Sequence, residues 1–217
     1  VTRVMSLRLW VVFAALICIG WWYSPVSLRV PAPPAALAGS TPVCPPPPIA
    51  GADGPPLQSP VPSTLAPFRL QTATLQPLAG FSIDARVLSR EDYNFGRESD
   101  LSPTDLALGW QRMREDAVLS RLDVSQSSRW YQYQWQGDPP LPLDEISRSS
   151  ANMHLIPSDQ IVAKTLRDVR PGDRVRIDGW LVEASAADGW HWRSSLTRDD
   201  SGAGACEVIY VCSITRQ

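Results

Sequence analysis

The 217-residue chain carries 20 Lys plus Arg against 22 Asp plus Glu, a net charge of −2. That balance argues against general affinity for polyanions, which rests on neutralising phosphates, and no nucleic-acid partner is expected. The charges are unevenly spread: residues 25–67 hold only Arg29 and Asp53 and are rich in proline, whereas residues 81–217 hold 16 Lys plus Arg and 21 Asp plus Glu. The shift predicts three regions: a membrane anchor over 1–24, a Pro-rich extended linker over 25–80, and a globular α+β domain over 81–217.

Residues 9–23 read Leu-Trp-Val-Val-Phe-Ala-Ala-Leu-Ile-Cys-Ile-Gly-Trp-Trp-Tyr, without a charge. Extended over 4–24, with Arg8 snorkelling to the headgroups, this run predicts one transmembrane helix for a ~30 Å hydrocarbon core. Trp10 at one end and Trp21, Trp22 and Tyr23 at the other suit the two interfaces. Arg3 and Arg8 ahead of the run put the N-terminus in the cytoplasm. The expected location is a bacterial inner membrane, single-pass, with the C-terminal domain periplasmic. Cleavage after Ala38 is the alternative; the distance of Ala36-Leu-Ala38 from the apolar run favours an uncleaved anchor.

The next stretch contains Pro31-Ala-Pro-Pro34, Pro45-Pro-Pro-Pro48 and Pro55-Pro56. Proline fixes φ and removes a backbone donor, so residues 25–77 read as an extended spacer with a reach bounded at about 160 Å.

From Phe81 onward, Phe81, Ile83, Ala85 and Val87 alternate with Ser82, Asp84 and Arg86, a strand signal. Ser102-Pro-Thr-Asp105 offers an N-cap, a proline at the first helical position and an acid in the first turn. A helix is expected there, with Leu106, Leu108, Trp110 and Met113 as its apolar positions. Asp116 is expected to cap a short helix up to Leu122. Residues 124–135 read as one strand, with Tyr131, Tyr133 and Trp135 on one face. Ser158 opens a helix carrying Ile161, Val162, Leu166 and Val169. After the Arg170-Pro-Gly-Asp173 turn, strands are expected over 174–185, 190–197 and 205–214. The resulting fold class is α+β: an N-terminal transmembrane helix, then a small antiparallel β domain, an OB- or SH3-like barrel with flanking helices.

Four cysteines are present. Cys206 and Cys212 share one strand, about 20 Å apart at ~3.3 Å per residue, beyond the ~7 Å a disulfide spans. No disulfide framework, CxxC metal motif or cofactor is expected. There is no G-x-S-x-G elbow, and the two histidines, His154 and His191, lack i, i+4 spacing for a metal.

Ser150, Asn152 and His154 alternate with Ala151, Met153 and Leu155, so the three polar side chains project from one face of a strand. Arg193 and Arg198 are suited to hold a carboxylate or phosphate, or else to pair with Asp199, Asp200 or Glu207. These five residues form the candidate ligand-binding set. Tyr131, Tyr133 and Trp135 read either as a stacking platform or as packing against the helices. Trp190 and Trp192 read as core.

Several segments carry a resemblance: Ala85-Arg-Val-Leu-Ser-Arg90, Asp100-Leu-Ser-Pro-Thr-Asp-Leu-Ala-Leu-Gly-Trp110, Ser149-Ser-Ala-Asn-Met-His-Leu-Ile-Pro157, Ser194-Ser-Leu-Thr-Arg198 and Gly204-Ala-Cys-Glu207. Together they resemble a family of uncharacterised proteobacterial membrane-anchored envelope proteins with no assigned activity. The resemblance covers most of 81–217 and none of the linker, and it implies a shared fold and no chemistry. The expected function is a membrane-anchored periplasmic binding or assembly module of a bacterial envelope complex. Its partners are the membrane and an envelope protein, and no enzymatic activity is expected. The alternatives are a small hydrolase using His154 or His191, and an OB-like single-stranded nucleic-acid binder.

Overall fold

The computed structural model describes residues 7–22, 44–70, 73–197 and 205–217. The apolar run folds as α1 (Leu7–Trp22), sixteen residues long. Sixteen residues rise ~24 Å, short of a ~30 Å hydrocarbon core. No helix among the described residues is long and apolar enough to cross a membrane. The flanks that complete the expected span, residues 4–6, 23 and 24, lie outside the described residues.

The remaining elements are β1 (Leu57–Ser59), β2 (Phe68–Leu70), β3 (Ala73–Asp92), α2 (Arg97–Leu101), β4 (Thr104–Gly109), a 3-10 turn (Gln111–Arg114) and α3 (Asp116–Leu119). Then come β5 (Asp123–Ser127), β6 (Trp130–Gln134), α4 (Leu143–Arg148), β7 (Ser150–Pro157), α5 (Gln160–Asp168), β8 (Arg174–Ser185), β9 (His191–Arg193) and β10 (Glu207–Arg216). The fold is α+β, with a mostly antiparallel sheet and short helices. Five strands pair in a closed circuit, β3-β4-β7-β10-β8 and back to β3; the β7–β10 pairing is parallel and the others antiparallel. β1 and β2 pair with β3, β9 pairs with β8, and β5 and β6 form a separate hairpin.

The period-2 pattern of each strand decides what lies inside the circuit. Phe81, Ile83, Ala85 and Val87 of β3 meet Leu106 and Leu108 of β4, Met153 and Leu155 of β7, Ile177 and Leu181 of β8, and Ile209 and Val211 of β10. α5, between β7 and β8, adds Val162 and Leu166 to that core. Its cap is Asp159, one residue beyond the expected Ser158, whose carboxylate accepts from the Ile161 and Val162 amides.

Two expected elements differ. The helix expected from Ser102 is strand β4, and Ser102 instead follows α2 as its C-cap. Leu106 and Leu108 sit two apart, the strand period. Burying both inside the strand circuit is worth roughly 1.5–3 kcal/mol each, whereas a cap contributes about 1 kcal/mol. The strand expected over 124–135 is broken at Ser128 and Arg129, whose φ angles are 51° and 71°. Both residues of this two-residue turn are left-handed, the geometry that reverses a twisted hairpin.

The boundary expected at Phe81 falls inside β3. A bulge between Pro77 and Ala79 inserts one residue and flips the strand's faces. Before it, Ala73 and Leu75 face an outer core with Leu70, Trp180, Val182 and Tyr210; after it, Ala79 and Phe81 face the inner one. Residues 44–70, expected to be extended spacer, lie as a belt on this outer core. Cys44, Val61, Leu65 and Phe68 pack there, Trp180 Nε1 donates to the Pro45 carbonyl at 2.9 Å, and the Ala50 amide donates to Ser82 Oγ at 2.8 Å. Gly80 makes room for the belt: a Cβ there would collide with Ser59 Oγ and stand 2.9 Å from Pro47 Cβ.

The cysteine expectation is corrected as well. Cys206 and Cys212 do not bridge, but Cys212 forms a disulfide with Cys44, 168 residues upstream, at a Cα–Cα distance of 5.2 Å. Sequence spacing gave no sign of it, because the belt that carries Cys44 to β10 is a tertiary feature.

Candidate functional site

Because Leu106, Leu108, Ala151, Met153 and Leu155 point inward, their neighbours on β4 and β7 point outward. The register sets Asp105 opposite His154, Ala107 opposite Asn152 and Gly109 opposite Ser150. An outer face of a small sheet is ordinarily wet, yet Asp105, Asn152 and His154 are 0%, 3% and 3% exposed. The β5–β6 hairpin, which lies within the β4–β7 connection, folds back over Asp105 and Asn152, and the Trp192 ring of β9 packs on His154.

The hairpin is held by polar contacts. Gln126 Nε2 donates to Asn152 Oδ1 at 2.6 Å, and the Tyr131 phenol and Ser150 Oγ share a hydrogen bond of 2.7 Å. Asn152 Nδ2 donates to the Arg129 carbonyl at 3.0 Å and to Asp105 Oδ2 at 3.3 Å. At the hairpin tip, Arg129 Nη1 donates to Asp105 Oδ1 at 2.6 Å and Nη2 to the Ser102 carbonyl at 2.9 Å. His154 Nδ1 lies 2.9 Å from Asp105 Oδ2 but does not meet hydrogen-bond geometry there. The Trp192 ring stands 4.7 Å from the imidazole, centroid to centroid.

Aromatic rings frame the arginine. Its guanidinium carbon lies 3.8 Å from the Tyr93 ring centroid and 5.6 Å from that of Trp192, and the Arg129 amide donates to the Tyr93 phenol oxygen at 2.8 Å. Burial pushes the Tyr93 phenol up to about 12, and burial raises Tyr131 as well. Beside them the β3–β4 and β8–β9 connections meet. Arg97 pairs with Asp188 at 3.0 and 2.5 Å, its guanidinium carbon lies 5.2 Å from the Trp190 ring centroid, and Trp190 Nε1 donates to Glu98 Oε1 at 3.2 Å. The Arg97 guanidinium holds the Asp188 carboxyl below its ordinary range.

No family model, no curated protein and no solved structure matches this chain.

Of the five candidate residues, Ser150, Asn152 and His154 do share one face, but they are buried in a network rather than open to a ligand. Arg193 is not with them: it is exposed on β9 and pairs with Glu183 of β8. Arg198 lies outside the described residues, as do Asp199 and Asp200. His191 is exposed on β9. Trp192, on the opposite side of that short strand, is what reaches the site. Tyr131, Tyr133 and Trp135 form a ladder with ring separations of 5.5 and 6.2 Å, and Tyr133 packs on a small core of Met113, Val118, Leu141 and Ile146.

Sequence reasoning missed Asp105, Arg129, Gln126, Tyr93 and Trp192. Asp105 was hidden by the helix reading of residues 102–105, and Arg129 by the reading of one unbroken strand. The usable signal was the alternation Asp105-Leu-Ala-Leu108, which on a strand sets the acid outward. Among the described residues, no group of three or more His, Cys, Asp or Glu side chains is placed to hold a metal.

Proposed function

We propose that this chain is a membrane-anchored binding module of a bacterial envelope complex, with an OB-type barrel displayed on the periplasmic side. The five-strand circuit, with one parallel pair and a helix between its third and fourth strands, supports the OB-type over the SH3-like alternative. Proteins of that architecture take ligands on the face of the second and third strands and on the loops beside it. The carrying observation is that the β3–β4 connection, the β8–β9 turn and β9 gather Tyr93, Arg97, Trp190 and Trp192 beside the β4–β7 face. Aromatic and arginine side chains dominate the energetics of binding surfaces. The Cys44–Cys212 disulfide supports an oxidising compartment, and the uncharged run over 9–23 with arginines ahead of it supports the anchor and its orientation.

Crosslinking and co-purification of the full-length protein from membranes tests this reading. The expected result is a stoichiometric envelope protein that is lost in an Arg97→Ala, Trp190→Ala variant of unchanged fold. Recovery of the chain alone, with or without crosslinker, would sink it. The Asp105–His154 contact favours one second reading, a small hydrolase working through His154 once the hairpin is displaced. A bell-shaped pH profile of activity that disappears in His154→Ala would carry that reading.

A further inference from the structure

We propose that Asp105, Tyr93, Trp192 and the Ser102 carbonyl form a guanidinium-recognition pocket that Arg129 occupies in the resting chain. An arginine side chain of a partner protein takes its place on binding. This deepens the binding-module reading by naming the chemistry of the partner, and it rests on that reading only for the partner's existence.

A guanidinium is recognised by a carboxylate in its plane, further acceptors around its fork, and aromatic faces above and below. Separate elements supply each of these. Asp105 of β4 gives the carboxylate at 2.6 Å, and the Ser102 carbonyl ahead of β4 gives the second acceptor at 2.9 Å. Tyr93, past the end of β3, gives the near ring at 3.8 Å, and Trp192 of β9 gives the more distant one at 5.6 Å. A carboxylate as deeply buried as Asp105 is costly without a cationic partner, so the site is built to be occupied.

The occupant itself is poorly suited to staying. Ser128 and Arg129 both have positive φ, a turn that favours Asn-Gly and in which each L side chain costs free energy. An arginine arriving on another chain meets the same carboxylate and rings without that backbone cost. The hairpin is also open to solvent at this end. Its tip residue Trp130 is 45% exposed, and residues 126–131 are tied to the rest of the domain by hydrogen bonds, by the Arg129–Asp105 ion pair and by the stacking of that guanidinium on Tyr93, contacts that an incoming arginine would replace in kind. Displacing Arg129 would bare Asn152 and Ser150 as well, so the incoming chain finds backbone-binding groups beside the pocket.

The test uses the full chain in detergent. Wild-type protein is titrated with Gly-Arg-Gly amide or Gly-Lys-Gly amide at equal concentrations, and amide hydrogen exchange is read over residues 123–134. The expected result is faster hairpin exchange with the arginine peptide alone; equal exchange with both peptides would overturn the proposal. In parallel, Arg129→Ala is titrated with ethylguanidinium and ethylammonium. Removing the internal competitor should tighten ethylguanidinium binding by at least about tenfold, as the competent fraction rises. Adding Asp105→Asn should abolish that binding. A folded Arg129→Ala that does not distinguish the two cations would also overturn the proposal, and if this variant does not fold, the wild-type exchange data decide alone. Co-purification that fails while the peptide response persists removes the envelope-complex reading and leaves the pocket standing. A recovered partner with no arginine preference does the reverse.

Discussion

At the scale of single residues, Asn152 and Arg193 separate two kinds of polar side chain that look alike in sequence. Asn152 is 3% exposed and bonds to Gln126, to Asp105 and to the Arg129 carbonyl. Truncating it strands several buried groups at once, each with its own desolvation cost. Asn152→Ala is therefore expected to lower unfolding free energy by about 2–3 kcal/mol in urea melts; a change within ~0.5 kcal/mol would mean the network is not bracing the hairpin. Arg193 pairs with Glu183 at a surface where its side chain is 52% exposed. Solvent screens such a pair, and Arg193→Ala is expected to change stability by less than about 1 kcal/mol. The same melts check both, and a larger loss for Arg193 than for Asn152 would invert the assignment.

At the scale of elements, the belt of residues 44–70 depends on two local features. The disulfide to β10 closes a loop of 168 residues, and its removal is expected to cost about 2–5 kcal/mol. Gly80 admits the chain where a Cβ would collide with Ser59 and Pro47. Limited proteolysis of the oxidised protein should leave a fragment beginning near Cys44 rather than near Phe81. Cys44→Ser, or reduction, should open residues 44–70 to cleavage before the β3-β4-β7-β10-β8 circuit is cut. Mass spectrometry of the resistant fragment reads the result; the same starting residue with and without the disulfide would show that the belt is held by packing alone.

At the scale of the whole molecule, buried phenols tie the fold to alkaline pH. Tyr93 and Tyr210 are both pushed from the ordinary 10.0 up to about 12, with desolvation as the largest cause, and Tyr131 rises for the same reason. The unfolded chain releases these protons from about pH 10, while the folded chain holds them. Stability is thus fully present below pH 10 and is lost as pH rises from 10 through 12. Melting temperature should fall over that window, and Tyr210→Phe should flatten the fall. Burial raises Tyr133 as well, and a fall of equal slope in Tyr210→Phe would assign the transition to other groups. For topology, a cytoplasm-only reporter fused after Gln217 should be silent, and a bright signal would place the domain on the cytoplasmic side.

Local chemistry alone was enough for the α+β class, the strand through Phe81 and Val87, the helix after Ser158, the turn at Gly172 and the shared face of Ser150, Asn152 and His154. Each is written in a period of two or 3.6, or in a cap or turn residue a few positions away. Tertiary contact decided the rest. β4 is a strand because the core inside the strand circuit rewards two buried leucines more than a cap rewards a helix. The proline-rich stretch over 44–70 is part of the domain because it lies against Trp180 and Tyr210 and is tied to Cys212. Proline bars it from strand interiors and not from packing on one. The polar face is a closed site and not an open one because a hairpin from the same chain lies across it. Nothing in the local pattern of Gln126 or Arg129 reports what each will touch 24 to 26 residues away.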